Sequence, residues 1–121
     1  MIVVDSSGWI EFFMDGPKAG MYARHLQHPE KIFTPVIVVY EVYKKIKRER
    51  DEPLAKLCLA QIEKTHIVPV TEAIALLAAD LSLEFSLPMA AALVLATARA
   101  QNAELITSDS DFRNIPGARV L

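Results

Sequence analysis

Residues 1–10 read Met1-Ile2-Val3-Val4-Asp5-Ser6-Ser7-Gly8-Trp9-Ile10, and this opening decides the fold class. Ile2–Val4 is a β-branched run that favours a strand, and Asp5 stands at its carboxyl end. Ser6 or Ser7 is placed to cap a helix carrying Trp9, Ile10, Phe12 and Phe13. Asp15-Gly16-Pro17 breaks that helix, and a second amphipathic segment follows with Met21, Tyr22 and Leu26 as its apolar spots. Lys31–Phe33 reads as a second strand, with Thr34-Pro35 as N-cap and first-turn proline of the next helix. There Val36, Val39, Tyr40, Tyr43 and Ile46 recur at helical spacing, which predicts a stripe facing the core. Another helix runs through Leu54, Leu57, Cys58, Ala60 and Ile62. His66–Val70 is expected as a third strand, Glu72–Phe85 and about Pro88–Ala100 as helices, and Glu104–Thr107 and Ala118–Val120 as the last strands. Short strands alternating with helices predict an α/β fold: one twisted parallel sheet of four or five strands, with helices on both faces.

Composition narrows the function classes. The 121 residues are one domain's worth of chain, expected to span 1–121. Thirteen basic against fifteen acidic side chains leave a net charge of −2, so no global field draws in polyanions or anionic lipid. An apolar fraction of 52% is high and implies a sheet covered on both faces, an oligomer contact, or both. One cysteine, Cys58, excludes an intramolecular disulfide framework and a zinc site built on several thiolates. Leu87–Ala98 is too short to cross a bilayer, and no export signal precedes Asp5, so a soluble intracellular protein is expected. The glycines at 8, 16, 20 and 117 form no phosphate-cradling loop, and His25, His28 and His66 lack ligand spacing.

The chemistry-bearing residues are acids at strand ends. Asp5 follows the first strand and Asp109 follows Leu105-Ile106-Thr107, where ligands gather in open parallel sheets. Glu41 lies inside the helix after residue 35, on a flank shared with Ile37, Lys44, Lys45 and Arg48. Taken singly, Asp5 is also a helix cap, Asp109 a turn residue, and Glu41 a solvated flank glutamate. Taken together, carboxylates converging from separate elements repel one another, and hard divalent cations with oxygen preference relieve that repulsion. The typical chemistry of such a site is metal-assisted phosphodiester hydrolysis.

Three blocks carry a family resemblance: Ile2-Val3-Val4-Asp5-Ser6-Ser7-Gly8-Trp9-Ile10-Glu11, Thr34-Pro35-Val36-Ile37-Val38-Val39-Tyr40-Glu41-Val42 and Leu105-Ile106-Thr107-Ser108-Asp109-Ser110-Asp111-Phe112. Together they resemble the PIN domain, and more narrowly the VapC-type toxin ribonucleases of prokaryotic toxin–antitoxin pairs. The resemblance implies a cytoplasmic endoribonuclease using Mg²⁺ or Mn²⁺. Asp5, Glu41 and Asp109 would be its metal-site acids, Asp111 an auxiliary acid, and Thr107 a bracing hydroxyl, with Ser7 beside them. It further implies a cognate antitoxin, an RNA substrate and a homodimer, with no membrane partner.

One departure weighs against activity. Where the family carries another aspartate, this chain reads Leu87-Pro88-Met89-Ala90-Ala91-Ala92-Leu93-Val94-Leu95-Ala96-Thr97-Ala98, with Ala91 in its place. The frame around Ala91 is intact, so a single residue is replaced, either as an introduced inactivating substitution, which we favour, or in a natural impaired homologue. The expected result is weak metal binding and little catalysis. Lys44, Lys45, Lys47, Arg48 and Arg50 make the densest basic run; Lys44, Lys45 and Arg48 would guide a phosphate backbone towards the acids, or simply form a solvated face. A response-regulator receiver is excluded, since it needs a mid-chain phosphoacceptor aspartate after a strand and a late lysine, and no lysine follows Lys64. A catalytically dead module that only binds antitoxin or RNA is the remaining alternative.

Overall fold

The computed structural model describes residues 1–121. Its strands are β1 (Ile2–Val4), β2 (Ile32–Pro35), β3 (His66–Val68), β4 (Glu104–Thr107) and β5 (Ala118–Val120). Its helices are α1 (Ser6–Phe13), α2 (Ala19–His25), α3 (Val36–Glu49), α4 (Glu52–Ile62), α5 (Glu72–Phe85) and α6 (Met89–Ala100). The strands form one sheet in the order β3-β2-β1-β4-β5, and every neighbouring pair is parallel. This is the α/β architecture expected from the alternation of elements.

Successive residues of a strand point to opposite faces, so burial along a strand reports whether both faces are covered. Val3, Val4, Leu105 and Ile106 are all fully buried, and the two central strands are therefore sealed above and below. The helix α6 is apolar nearly all round; Val94 through Ala98 are buried without interruption. That interior helix absorbs much of the apolar excess. It follows α5 after a 116° bend, where Ser86 adopts left-handed backbone (φ 56°). No single helix is long and apolar enough to cross a membrane.

Strand order reverses at β1, which has β2 on one side and β4 on the other. The carboxyl ends of β1 and β4 thus flank the crevice where such sheets bind ligands. Register sharpens the point: Val4 pairs with Ile106, and the Asp5 amide donates to the Ile106 carbonyl at 3.3 Å. Asp5 and Thr107 consequently emerge side by side.

Several local expectations are corrected. Neither Ser6 nor Ser7 caps α1; Asp5 does, its carboxylate accepting from the Gly8 amide at 3.3 Å. Thr34 is not the N-cap of α3 and Pro35 is not inside its first turn: β2 runs through Pro35, which is itself the N-cap. The buried Thr34 hydroxyl is paired with the Thr65 hydroxyl at 2.6 Å, and α3 has no side-chain cap. The starting phase of α3 follows from that strand, so Val38, Val42 and Ile46 form its buried stripe. Of the stripe expected to face the core only Ile46 is buried; Val36 is 40% and Tyr40 58% exposed. The strand β3 stops at Val68, two residues short of Val70. Leu57 and Met21 also face solvent, leaving Ala55, Cys58, Ile62 and Tyr22 as the inward residues of their helices. Trp9 is buried and stacks on Phe13 with centroids 5.6 Å apart, so the aromatic run of α1 packs inward.

Candidate functional site

Asp5 sits at the junction of β1 and α1, where the strand register and the helix start place it beside β4. It is only 5% exposed, and each carboxylate oxygen is met by donors. Oδ1 accepts from the Ser7 hydroxyl at 2.6 Å and from the Gly8 amide at 3.3 Å. Oδ2 accepts from the Thr107 hydroxyl at 2.7 Å. Because both hydroxyl protons point at Asp5, both hydroxyl oxygens are free to accept. Ser7 Oγ accepts from the Ser108 amide at 3.0 Å, and Thr107 Oγ1 from the Asp109 amide at 2.9 Å. A single carboxylate thereby organises the backbone that carries the next acid.

Asp109 ends that turn, and its Oδ1 accepts from the Asp111 amide at 2.9 Å. The resulting short 3₁₀ turn, Ser110–Phe112, buries Phe112 against the core. Glu41 arrives from α3, six residues beyond the end of β2. Asp5, Glu41 and Asp109 line one cavity of about 260 Å³. Its remaining walls are Ser6, Pro88, Ala90, Ala91, Val94 and Phe112, and no basic side chain is among them. The acids share the cavity without converging on one point: no three carboxylates or imidazoles are grouped closely enough to grip a single ion as the side chains lie.

Burial and mutual charge govern the electrostatics. Burial pushes the Asp5 carboxyl above its ordinary range; its three hydrogen bonds oppose this, and the Asp109 charge adds to it. Burial likewise pushes Glu41 up, with the charges of Asp5 and Asp109 acting in the same direction and Ser6 opposing them. Raised groups hold protons in the folded chain that the unfolded chain has already released. Stability contributed by these protons is complete below the ordinary carboxylate value of about 4 and falls as pH rises through the raised values. In EDTA, urea denaturation from pH 4 to 7 is expected to show this loss, and Glu41→Gln to flatten it. An unchanged pH slope in Glu41→Gln would refute the assignment.

A divalent cation suits this donor set. Three oxygen-bearing acids from three elements, two of them destabilised as anions and none with a basic partner in the cavity, are what a hard cation would relieve. Ala91 is the third residue of α6 and lines the same cavity, 9% exposed. Asp111 is exposed and touches the site through its amide, not its carboxylate. The basic residues of α3 lie on an exposed face among acidic neighbours. Lys45 and Arg48 both lie 3.8 Å from Glu49, and Lys47 lies 3.7 Å from Glu52. Lys44 has no carboxylate partner; its Nζ donates to the Tyr40 hydroxyl at 3.2 Å. None of these basic groups lines the cavity.

Sequence reasoning passed over Tyr22 except as an apolar spot. It is fully buried, and its phenol shares a 2.6 Å hydrogen bond with the Ser108 hydroxyl. Its ring lies against Gly8, where an added Cβ would overlap the ring and come within 2.7 Å of Val4. Gly8→Ala is therefore expected to lose about 1–3 kcal/mol of stability by overpacking, measured by denaturant unfolding; an unchanged midpoint would refute the contact.

The sequence model of the PIN domain matches residues 2–118. This chain belongs to the PIN domain family. Among solved structures, a toxin–antitoxin complex from Klebsiella pneumoniae is similar over 99% of this chain and 97% of that one, with TM-score 0.84 and 25% identity. The VapC20 toxin of Mycobacterium tuberculosis, described as cleaving the sarcin–ricin loop, shares the fold at TM-score 0.76 and 20% identity, covering 93% of this PIN domain and 92% of that chain. VapBC2 from Rickettsia felis, solved with a fragment of its promoter DNA, shares it at TM-score 0.77 and 16% identity, over 100% and 98%. No curated protein matches the sequence.

Proposed function

We propose that this PIN domain is the toxin of a VapBC-type pair, a metal-dependent endoribonuclease whose present sequence is impaired at Ala91. The observation that carries this reading is the cavity at the β1/β4 crevice, which three acids and no base line. Asp5, Asp109 and Glu41 would hold Mg²⁺ or Mn²⁺. Bound there, the ion would activate water and neutralise charge developing on the phosphodiester. The chain's own part is positional. Ser7 and Thr107 fix the Asp5 carboxylate, and the same two hydroxyls fix the Ser108 and Asp109 peptides. Pro88, Val94 and Phe112 wall the cavity with apolar surface, which strengthens charge interactions inside it.

Lys44, Lys45 and Arg48 would meet an RNA phosphate, and of the three Lys44 alone has no carboxylate partner. Such contacts position a backbone without reading sequence. A cognate antitoxin is the expected partner, by likeness to the toxin–antitoxin complexes that share the fold. The homodimer reading draws support from exposed apolar residues on α3 and α5, Val36, Tyr40, Leu76 and Leu83. We assign the protein to the prokaryotic cytoplasm on the same likeness.

The deciding experiment compares this chain and Ala91→Asp on RNA, with Mg²⁺ and with EDTA. Cleavage confined to Ala91→Asp with metal supports the reading. A folded, metal-loaded Ala91→Asp that cleaves nothing favours the module that only binds antitoxin or RNA.

A further inference from the structure

The turn that carries Asp109 is fastened at three points. Two are the hydroxyls that also hold Asp5: Ser7 takes the Ser108 amide and Thr107 takes the Asp109 amide. The third is Tyr22, whose phenol meets the Ser108 hydroxyl at 2.6 Å. Tyr22 lies on α2, a helix that supplies no wall of the cavity. Its ring is completely buried and fills the space that Gly8 leaves open. Packing alone would be served by phenylalanine; a hydroxyl in such a position adds a polar group that must find a partner. The partner it finds is the residue immediately before Asp109.

We propose that Tyr22 is a positioning residue for Asp109: its phenol holds Ser108, and through Ser108 it sets the peptide from which the Asp109 carboxylate enters the cavity. The proposal rests on reading the cavity as a cation site, and it extends that site to an element outside it. The arrangement leaves the Asp109 turn with one fastening made from outside the cavity, by α2. The Ser7 and Thr107 fastenings are made through hydroxyls that donate to Asp5, whereas the Tyr22 phenol meets the Ser108 hydroxyl directly.

Tyr22→Phe keeps the ring on Gly8 and removes only the phenol oxygen. Three quantities are measured in this chain, in Tyr22→Phe, in Ser108→Ala and in the double variant. They are amide exchange at Ser108 and Asp109 in EDTA, Mn²⁺ affinity by titration, and thermal midpoint. Exchange at the two amides is expected to quicken about threefold to tenfold in Tyr22→Phe, the range one ordinary hydrogen bond carries. Mn²⁺ affinity is expected to fall by about tenfold, as for other groups that orient a ligand. Ser108→Ala should reproduce both effects and the double variant should add nothing, because both single changes break the same bond. Unchanged exchange and unchanged Mn²⁺ affinity in Tyr22→Phe would overturn the proposal. So would additive losses in the double variant. If no protein in the set takes up Mn²⁺, the cation reading of the cavity fails, and the exchange data alone decide whether Tyr22 holds the turn.

Discussion

Replacing Ala91 by aspartate is expected to raise Mg²⁺-dependent RNA cleavage by about 10²–10³-fold, the usual worth of one preorganised electrostatic contact. Residue 91 is already at the cavity wall, so no rearrangement is needed to bring a carboxylate there. It is also the third residue of α6, whose N-cap Pro88 offers no side-chain acceptor to the helix's first amides. An anion at that position is favoured by the helix dipole by about 0.3–1 kcal/mol. The same carboxylate adds a further negative charge to a cavity without a base. In EDTA, Ala91→Asp should therefore melt below the parent, and Mg²⁺ should raise its midpoint more than the parent's. A gel assay on RNA and a pair of melting curves check both parts. Ordinary cleavage by the parent chain would show that Ala91 does not limit the reaction.

The second large effect is expected from Asp5→Asn. Asparagine keeps the volume and the helix cap, so the variant should fold, yet it withdraws the charge on which the site is centred. Mn²⁺ affinity should drop by at least the 10–100-fold typical of disturbing a metal site's supporting groups, because here a proposed ligand is itself neutralised. The loss should exceed that in Tyr22→Phe. Titration of this chain and of Asp5→Asn provides the check, and equal affinities would remove Asp5 from the metal reading.

Much of this was legible in the sequence, and the failures have definite causes. The strands β1, β4 and β5 stand where their β-branched and aliphatic runs put them. Asp5 and Asp109 were findable because a parallel sheet leaves little else at a strand's carboxyl end. The α3 stripe was misread because the helix has two apolar sets, Val38-Val42-Ile46 and Val36-Val39-Tyr40-Tyr43, both at helical spacing. Hydrophobicity cannot choose between them; the extension of β2 through Pro35 does, by setting where the helix begins. Glu41 was ambiguous for a related reason, since its flank becomes a cavity wall only when α3 packs beside α1 and α6. Tyr22 and Ser108 were invisible as a pair, being separated by 86 residues with no spacing rule to connect them. The one signal was a tyrosine where the pattern asked only for an apolar residue.

The bond between Thr107 and Asp5 joins residues 102 positions apart. On a ribosome these two groups emerge at very different times, and pairing so distant in sequence is closed late because the loop entropy must be met first. A nascent chain that has not yet extended past β4 carries Asp5 and Glu41 but no crevice to gather them. Premature termination anywhere before that strand would release a fragment with no assembled centre.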